Sequence, residues 1–234
     1  LQRFDDFDRL EVLTRITGSL VNLTPLRVGV GREPPLGAVV DIAPLRIRFA
    51  GGGTSPYIPG SSLKGVLRSL AESILRAQDK HVHDPWDFEA VEEEKNGSFC
   101  LMCGIFGSTG LASHVRVYDA YPEGEASTFV KTGVSINRDF RGVQPGFLYT
   151  EEQVVPRVRW RFMMDVINIR VFPEPGDERG RLLRQLLHML ASGMVQVGAR
   201  RTVGYGLVKL EQGRYEVYEV KNGVLEKVSE GGVA

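Results

Sequence analysis

Apolar positions along the chain change their spacing several times, and each change predicts an element. Residues 11–17 and 38–49 (AVVDIAPLRIRF) are rich in β-branched residues and read as strands, joined by the Gly/Pro-rich VGVGREPPLG. From Ser61 onward, Leu63, Val66, Leu67, Leu70, Ala71, Ile74 and Leu75 recur at helical spacing, with Ser61 or Ser62 as the N-cap. A strand is expected at 115–118 and a long irregular section at 121–153, where INRDFRGVQPG offers turn residues and few core residues. Alternation returns at 155–167: Val158, Trp160, Phe162, Met164 and Val166 share one face, and Arg157, Arg159 and Arg161 the other. Leu182, Leu183, Leu186, Leu187 and Leu190 mark a second helix over 179–192, with Gly193 at its C-terminal cap. Strands follow near 194–198, 204–210 and 214–220.

The order strand, helix, strand, strand, helix, strand predicts an α+β, ferredoxin-like (RRM-like) fold, with two amphipathic helices on one side of an antiparallel sheet. The chain's 234 residues suffice for a core domain with insertions. The 29 basic and 29 acidic residues cancel, so overall charge favours no class of partner. Their placement is uneven. Residues 77–99 hold Asp79, Asp84, Asp87, Glu89, Glu92, Glu93 and Glu94 against Lys80 and Lys95, whereas residues 155–210 hold ten Lys/Arg against four Asp/Glu. No run approaches the ~18 apolar residues of a bilayer span, and LQRFDDFDRL lacks a signal-peptide pattern, so a cytoplasmic location is expected.

Both cysteines lie in CLMC (Cys100, Cys103), without the βαβ pattern that accompanies thioredoxin-like pairs. With His81 and His83 they make two imidazoles and two thiolates, a set that suits tetrahedral structural zinc and would clip the acidic loop at both ends. Surface histidines beside a half-buried cysteine pair remain the alternative, and Asp79 or Asp84 could replace one histidine.

Two glycine-rich turns offer backbone to an anion. YIPGSSLKG (57–65) lacks the GxxxxGK[ST] spacing of a nucleotide loop. It supplies Gly60, Ser61 and Ser62 at a helix start, with Lys64 and Arg68 beside them, which suits the phosphates of a continuous strand. GARRTVGYG (198–206) supplies Gly198, Gly204 and Gly206 for close approach, Arg200 and Arg201 for phosphates, and Tyr205 for base stacking. A capped helix with exposed cations and a surface β-turn account for the isolated segments as well.

Taken together, YIPGSSLKGVLRSL, CLMCGIFGSTGLASHVRVYDAYP and VGARRTVGYGLVKL resemble the RAMP superfamily over about 11–210, specifically the backbone subunit of type III CRISPR effector complexes (Csm/Cmr type). The resemblance implies one RAMP domain over 1–234, with its core at about 8–78, 104–120 and 154–222, a zinc-stabilised lid at 79–103 and a thumb hairpin at 121–153. It implies copies stacked along a CRISPR RNA with sister subunits, presenting it to complementary target RNA. Residues 128–153 match the thumb, where Arg138 and Phe140 would wedge between bases. Asp41 matches the family's catalytic aspartate, implying cleavage of the target at regular intervals with Mg2+ or another divalent ion, although one extra residue separates it from Gly37. Related subunits carry zinc in the lid. A non-catalytic RNA-binding subunit is the alternative. A CRISPR-RNA processing endoribonuclease is disfavoured, because no histidine precedes His81.

Overall fold

The computed structural model of the chain describes residues 7–29, 40–96 and 99–233. In chain order the elements are β1 (Val12–Asn22), β2 (Arg46–Arg48), β3 (Thr54–Pro56), α1 (Gly60–Arg76), α2 (Phe88–Asn96), α3 (Cys103–Phe106) and β4 (Val115–Val117). They continue with β5 (Thr128–Ile136), β6 (Val143–Val154), β7 (Arg159–Ile167), α4 (Glu178–Ala191), β8 (Val195–Gln196), β9 (Leu207–Lys221) and β10 (Val224–Gly232). The main sheet is antiparallel, with order β10-β9-β1-β7-β4 and β8 added to β9. The path β1–α1–β4–β7–α4–β9 gives the α+β connectivity expected of a ferredoxin-like core.

One sheet face carries the core. Ile16, Leu20, Trp160, Phe162, Met164, Val166, Val208 and Val217 are buried there under Leu63, Leu67, Ala71 and Leu75 of α1 and Leu183, Leu186, Leu187 and Leu190 of α4. Each such side chain contributes about 1.5–3 kcal/mol by leaving water. The polar tip of Trp160 is satisfied by donating Nε1–H to Asn22 Oδ1 at 3.0 Å. The opposite face is polar and internally paired. Arg15 grips Asp165 through two bonds of 2.8 Å, Tyr118 donates to Asp165 at 2.9 Å, and Arg159 meets Glu211 at 2.8 Å.

Four expectations change. Helix α1 begins at Gly60 with Pro59 at the cap, so Ser61 and Ser62 lie inside its first turn. The strand expected at 38–49 shrinks to Arg46–Arg48, because Ile42 and Pro44 make isolated bridges elsewhere; residues 38 and 39 lie outside the described residues. The section 121–153 contains a regular β5–β6 hairpin, hidden from pattern reading because Val130, Val134, Ile136, Val143 and Leu148 are exposed. Strands 204–210 and 214–220 merge into β9, bent at a bulge where Gln212 adopts φ 52°.

The register determines which connections share an end. Val21 lies opposite Arg159, Asn22 opposite Val208, and Val117 opposite Met164. Connections 23–59, 118–158 and 192–206 therefore leave one end of the sheet, and 77–114 lies at the other.

Candidate nucleic-acid interface and metal centre

Both glycine turns stand at the first of these ends. The start of α1 sits against the end of β4, and the turn at 198–206 leads into β9, so they are three strand spacings apart, about 14 Å. Internal contacts account for several of their features. A Cβ at Gly60 would overlap the Val117 carbonyl, so glycine is needed there for helix-on-strand contact. The Gly60 amide donates to Asp119 Oδ1 at 2.7 Å, which places a carboxylate where a phosphate was expected. Arg68 is also committed: Nε bonds Glu72 at 2.9 Å and a terminal nitrogen bonds the Gly107 carbonyl at 2.9 Å. The expected cradle thus reduces to exposed Ser61, half-buried Ser62 and half-buried Lys64, whose pKa is pulled down by burial and by Arg68.

The second turn folds onto the segment after β1. Gly198 (φ 83°) lies against the Arg27 carbonyl and Gly206 (φ 74°) against the Val197 carbonyl, both too close for a side chain, whereas Gly204 (φ 86°) faces open space. Arg201 is exposed. Arg200 reaches Glu151 Oε2 at 3.3 Å and stacks over Tyr149 at 4.7 Å, and Glu151 also faces Arg27 at 3.8 Å. Tyr205 accepts a bond from Lys131 of β5 at 2.6 Å. This turn is therefore tied to the root of the hairpin. Arg138 and Phe140 project at the hairpin tip, where Phe140 is 60% exposed.

Asp41 lies beside the same root. Its Oδ2 accepts the Thr150 amide at 2.6 Å and the Thr150 hydroxyl at 3.0 Å. These two bonds, the backbone one foremost, hold its pKa below the usual carboxylate range although the residue is exposed. Ile42 then runs parallel to β6, donating to the Thr150 carbonyl at 3.2 Å and accepting from Glu152 at 2.9 Å. Asp41 belongs to no group of three potential metal ligands among the described residues. It offers a single carboxylate.

At the opposite end, His83, Glu94, Cys100 and Cys103 bring one ligand atom each within 4.8 Å of one another. Glu94 stands in the place assigned to His81, and Asp79 and Asp84 stay outside as well; His81 is exposed, with its ring 5.9 Å from that of His83. The cause is helix α2, which turns Glu94 inward while its other carboxylates face solvent, a choice that spacing within an acidic run did not reveal. His83 Nδ1 pairs with the Asp84 carbonyl at 2.9 Å, which directs Nε2 to Glu94 (2.8 Å) and Cys103 (3.4 Å). Glu94 Oε2 is buried without a hydrogen-bond partner among the described residues. The Cys103 bond draws the Cys100 pKa down, while the same bond and burial push Cys103 up. Two sulfurs, one imidazole nitrogen and one carboxylate around a buried point form a donor set that fits a divalent ion.

Sequence reading missed Asp119, Lys131, Tyr149, Thr150 and Glu151 because each acts through a partner distant in the chain, and Glu94 because it stands among equivalent acids. Among the described residues no helix is long and apolar enough to cross a membrane. No curated protein matches the chain at a significant level. The family model of the RAMP superfamily matches residues 19–209, which takes in both long helices, the hairpin and both glycine turns. With most of its length so matched, the chain belongs to the RAMP superfamily.

Proposed function

We propose that this chain is a CRISPR RNA-binding backbone subunit of a type III effector complex, and that it cuts complementary target RNA through a metal-dependent step at Asp41. RAMP membership points to a CRISPR-associated function alongside RNA. The observation that carries the finer reading is positional: both glycine turns, the β5–β6 hairpin and Asp41 gather at one end of the sheet. On this reading residues 1–234 form one RAMP domain, with 79–103 as a zinc-held lid and 121–153 as the thumb.

Lys64 and Ser61 meet phosphates at the start of α1, Arg201 meets another further along the strand, and Arg200 meets one from the hairpin root. Phe140 at the hairpin tip wedges between bases and unstacks one step of the duplex. That exposes a target phosphodiester to attack by its adjacent 2′-hydroxyl, with departure of the 5′-oxygen. Asp41 would help seat a hydrated divalent ion, which supplies charge stabilisation at the phosphate; Mg2+ suits a site with one carboxylate because it keeps several waters. His83, Glu94, Cys100 and Cys103 would hold zinc in a structural role.

A scaffold that holds RNA without cutting is the second reading, favoured because Asp41 belongs to no group of three or more potential metal ligands among the described residues. The assembled complex, given end-labelled complementary RNA, separates the two. Evenly spaced fragments that vanish with EDTA and return with Mg2+ are expected; RNA left intact in Mg2+ supports the scaffold.

A further inference from the structure

We infer that Thr150 is the positioning residue for Asp41, and that the root of the β5–β6 hairpin thereby couples RNA engagement to cutting. The inference rests on the proposed role of Asp41. The two residues are joined reciprocally: the Thr150 amide and hydroxyl both donate to Asp41 Oδ2, and the Asp41 amide approaches the Thr150 hydroxyl at 3.3 Å. The adjoining Ile42 is paired in both directions with β6, through the Thr150 carbonyl and the Glu152 amide. Asp41 is thus held in one orientation, one carboxylate oxygen engaged by Thr150 and the other unengaged among the described residues. Holding a reacting carboxylate in place matters because a shift of about 1 Å can cost roughly 10²-fold in rate.

The two residues that flank Thr150 in β6 serve the phosphate turn. Side chains of a strand alternate between its faces. Tyr149 and Glu151 therefore share the face opposite Thr150, and they hold Arg200 by stacking and by an ion pair. Glu151 further anchors Arg27. Thr150 holds the aspartate and its two neighbours hold the arginine, so a displacement of the hairpin by bound RNA moves both groups together. Thr150 itself needs no contact with RNA.

The test uses the reconstituted complex with Thr150→Val, Thr150→Ser and Asp41→Ala chains. It measures single-turnover cleavage, RNA affinity, and deuterium uptake by a peptide covering residues 40–45. Thr150→Val keeps the side chain's shape and removes its hydroxyl. It should slow cleavage about 10- to 100-fold, leave affinity within about twofold, and speed exchange at Ile42. Thr150→Ser, which keeps the hydroxyl, should restore both rate and protection. Cleavage by Thr150→Val at the unaltered rate, in a system where Asp41→Ala does not cut, overturns the inference and spares the reading of Asp41. Equal slowing by Val and Ser also overturns it, since the hydroxyl would then be idle. Undiminished cutting by Asp41→Ala overturns the reading of Asp41 and the inference with it.

Discussion

On the proposed zinc-lid reading, Cys103→Ser should release the metal and unfold residues 79–103 while the sheet persists. The four donors come from three separated places: His83, Glu94 on α2, and the Cys100–Cys103 turn that opens α3. They close a loop spanning 20 positions between His83 and Cys103. Among the described residues the buried Glu94 Oε2 has no hydrogen-bond partner, and both cysteine sulfurs lie within 4.8 Å of a Glu94 carboxylate oxygen. A divalent cation answers both conditions. Structural zinc can contribute on the order of 10 kcal/mol to a small domain, so losing one thiolate should have a large local effect. Elemental analysis of the unaltered chain should give about one zinc per chain. Glu94→Gln should lose the metal, and His81→Ala should keep it. Less than about a tenth of an equivalent in the unaltered protein contradicts the site, and metal loss on His81→Ala alone contradicts the ligand set.

Asp41→Ala should abolish cleavage of complementary RNA in the assembled complex and leave RNA binding within about twofold. Removal of one group that stabilises developing charge typically costs about 10²–10³ in rate, and Asp41 belongs to no group of three or more potential metal ligands among the described residues. Binding should survive because Asp41 is exposed at the margin of the hairpin and, among the described residues, its side chain is hydrogen-bonded to Thr150. Gel shifts and cleavage time courses on the same preparation check both parts. Cleavage at the unaltered rate would return the chain to the scaffold reading.

What pattern reading captured and what it missed follow from the range of the forces involved. Alternation at Val158 to Val166 and the leucines of both long helices are burial signals, and a buried face repeats with the period of its own element. The hairpin carries no such signal, since its apolar residues stand in solvent. Strand β10 did have one: Asn222-Gly223 is a hairpin-turn dipeptide, with φ 52° and 78°. The glycines were read rightly as points of close approach, but at Gly60, Gly198 and Gly206 the approaching group is the chain's own backbone. Arg68, Arg200 and Tyr205 have internal partners that spacing cannot announce, because Gly107, Glu151 and Lys131 lie 39, 49 and 74 positions away. The metal cluster shows the same limit: the Cys pair and one histidine were in view, while Glu94 was hidden among equivalent acids.

On the proposed reading RNA runs across the end of the sheet that gathers both turns, the hairpin and Asp41. Photocrosslinking of the assembled complex to a CRISPR RNA bearing 4-thiouridine, followed by peptide mapping, tests it most directly. Crosslinks should concentrate in peptides covering 57–68, 138–153 and 196–206. Crosslinks confined to 79–103, or to the ion-paired sheet face around Arg15 and Asp165, would contradict it.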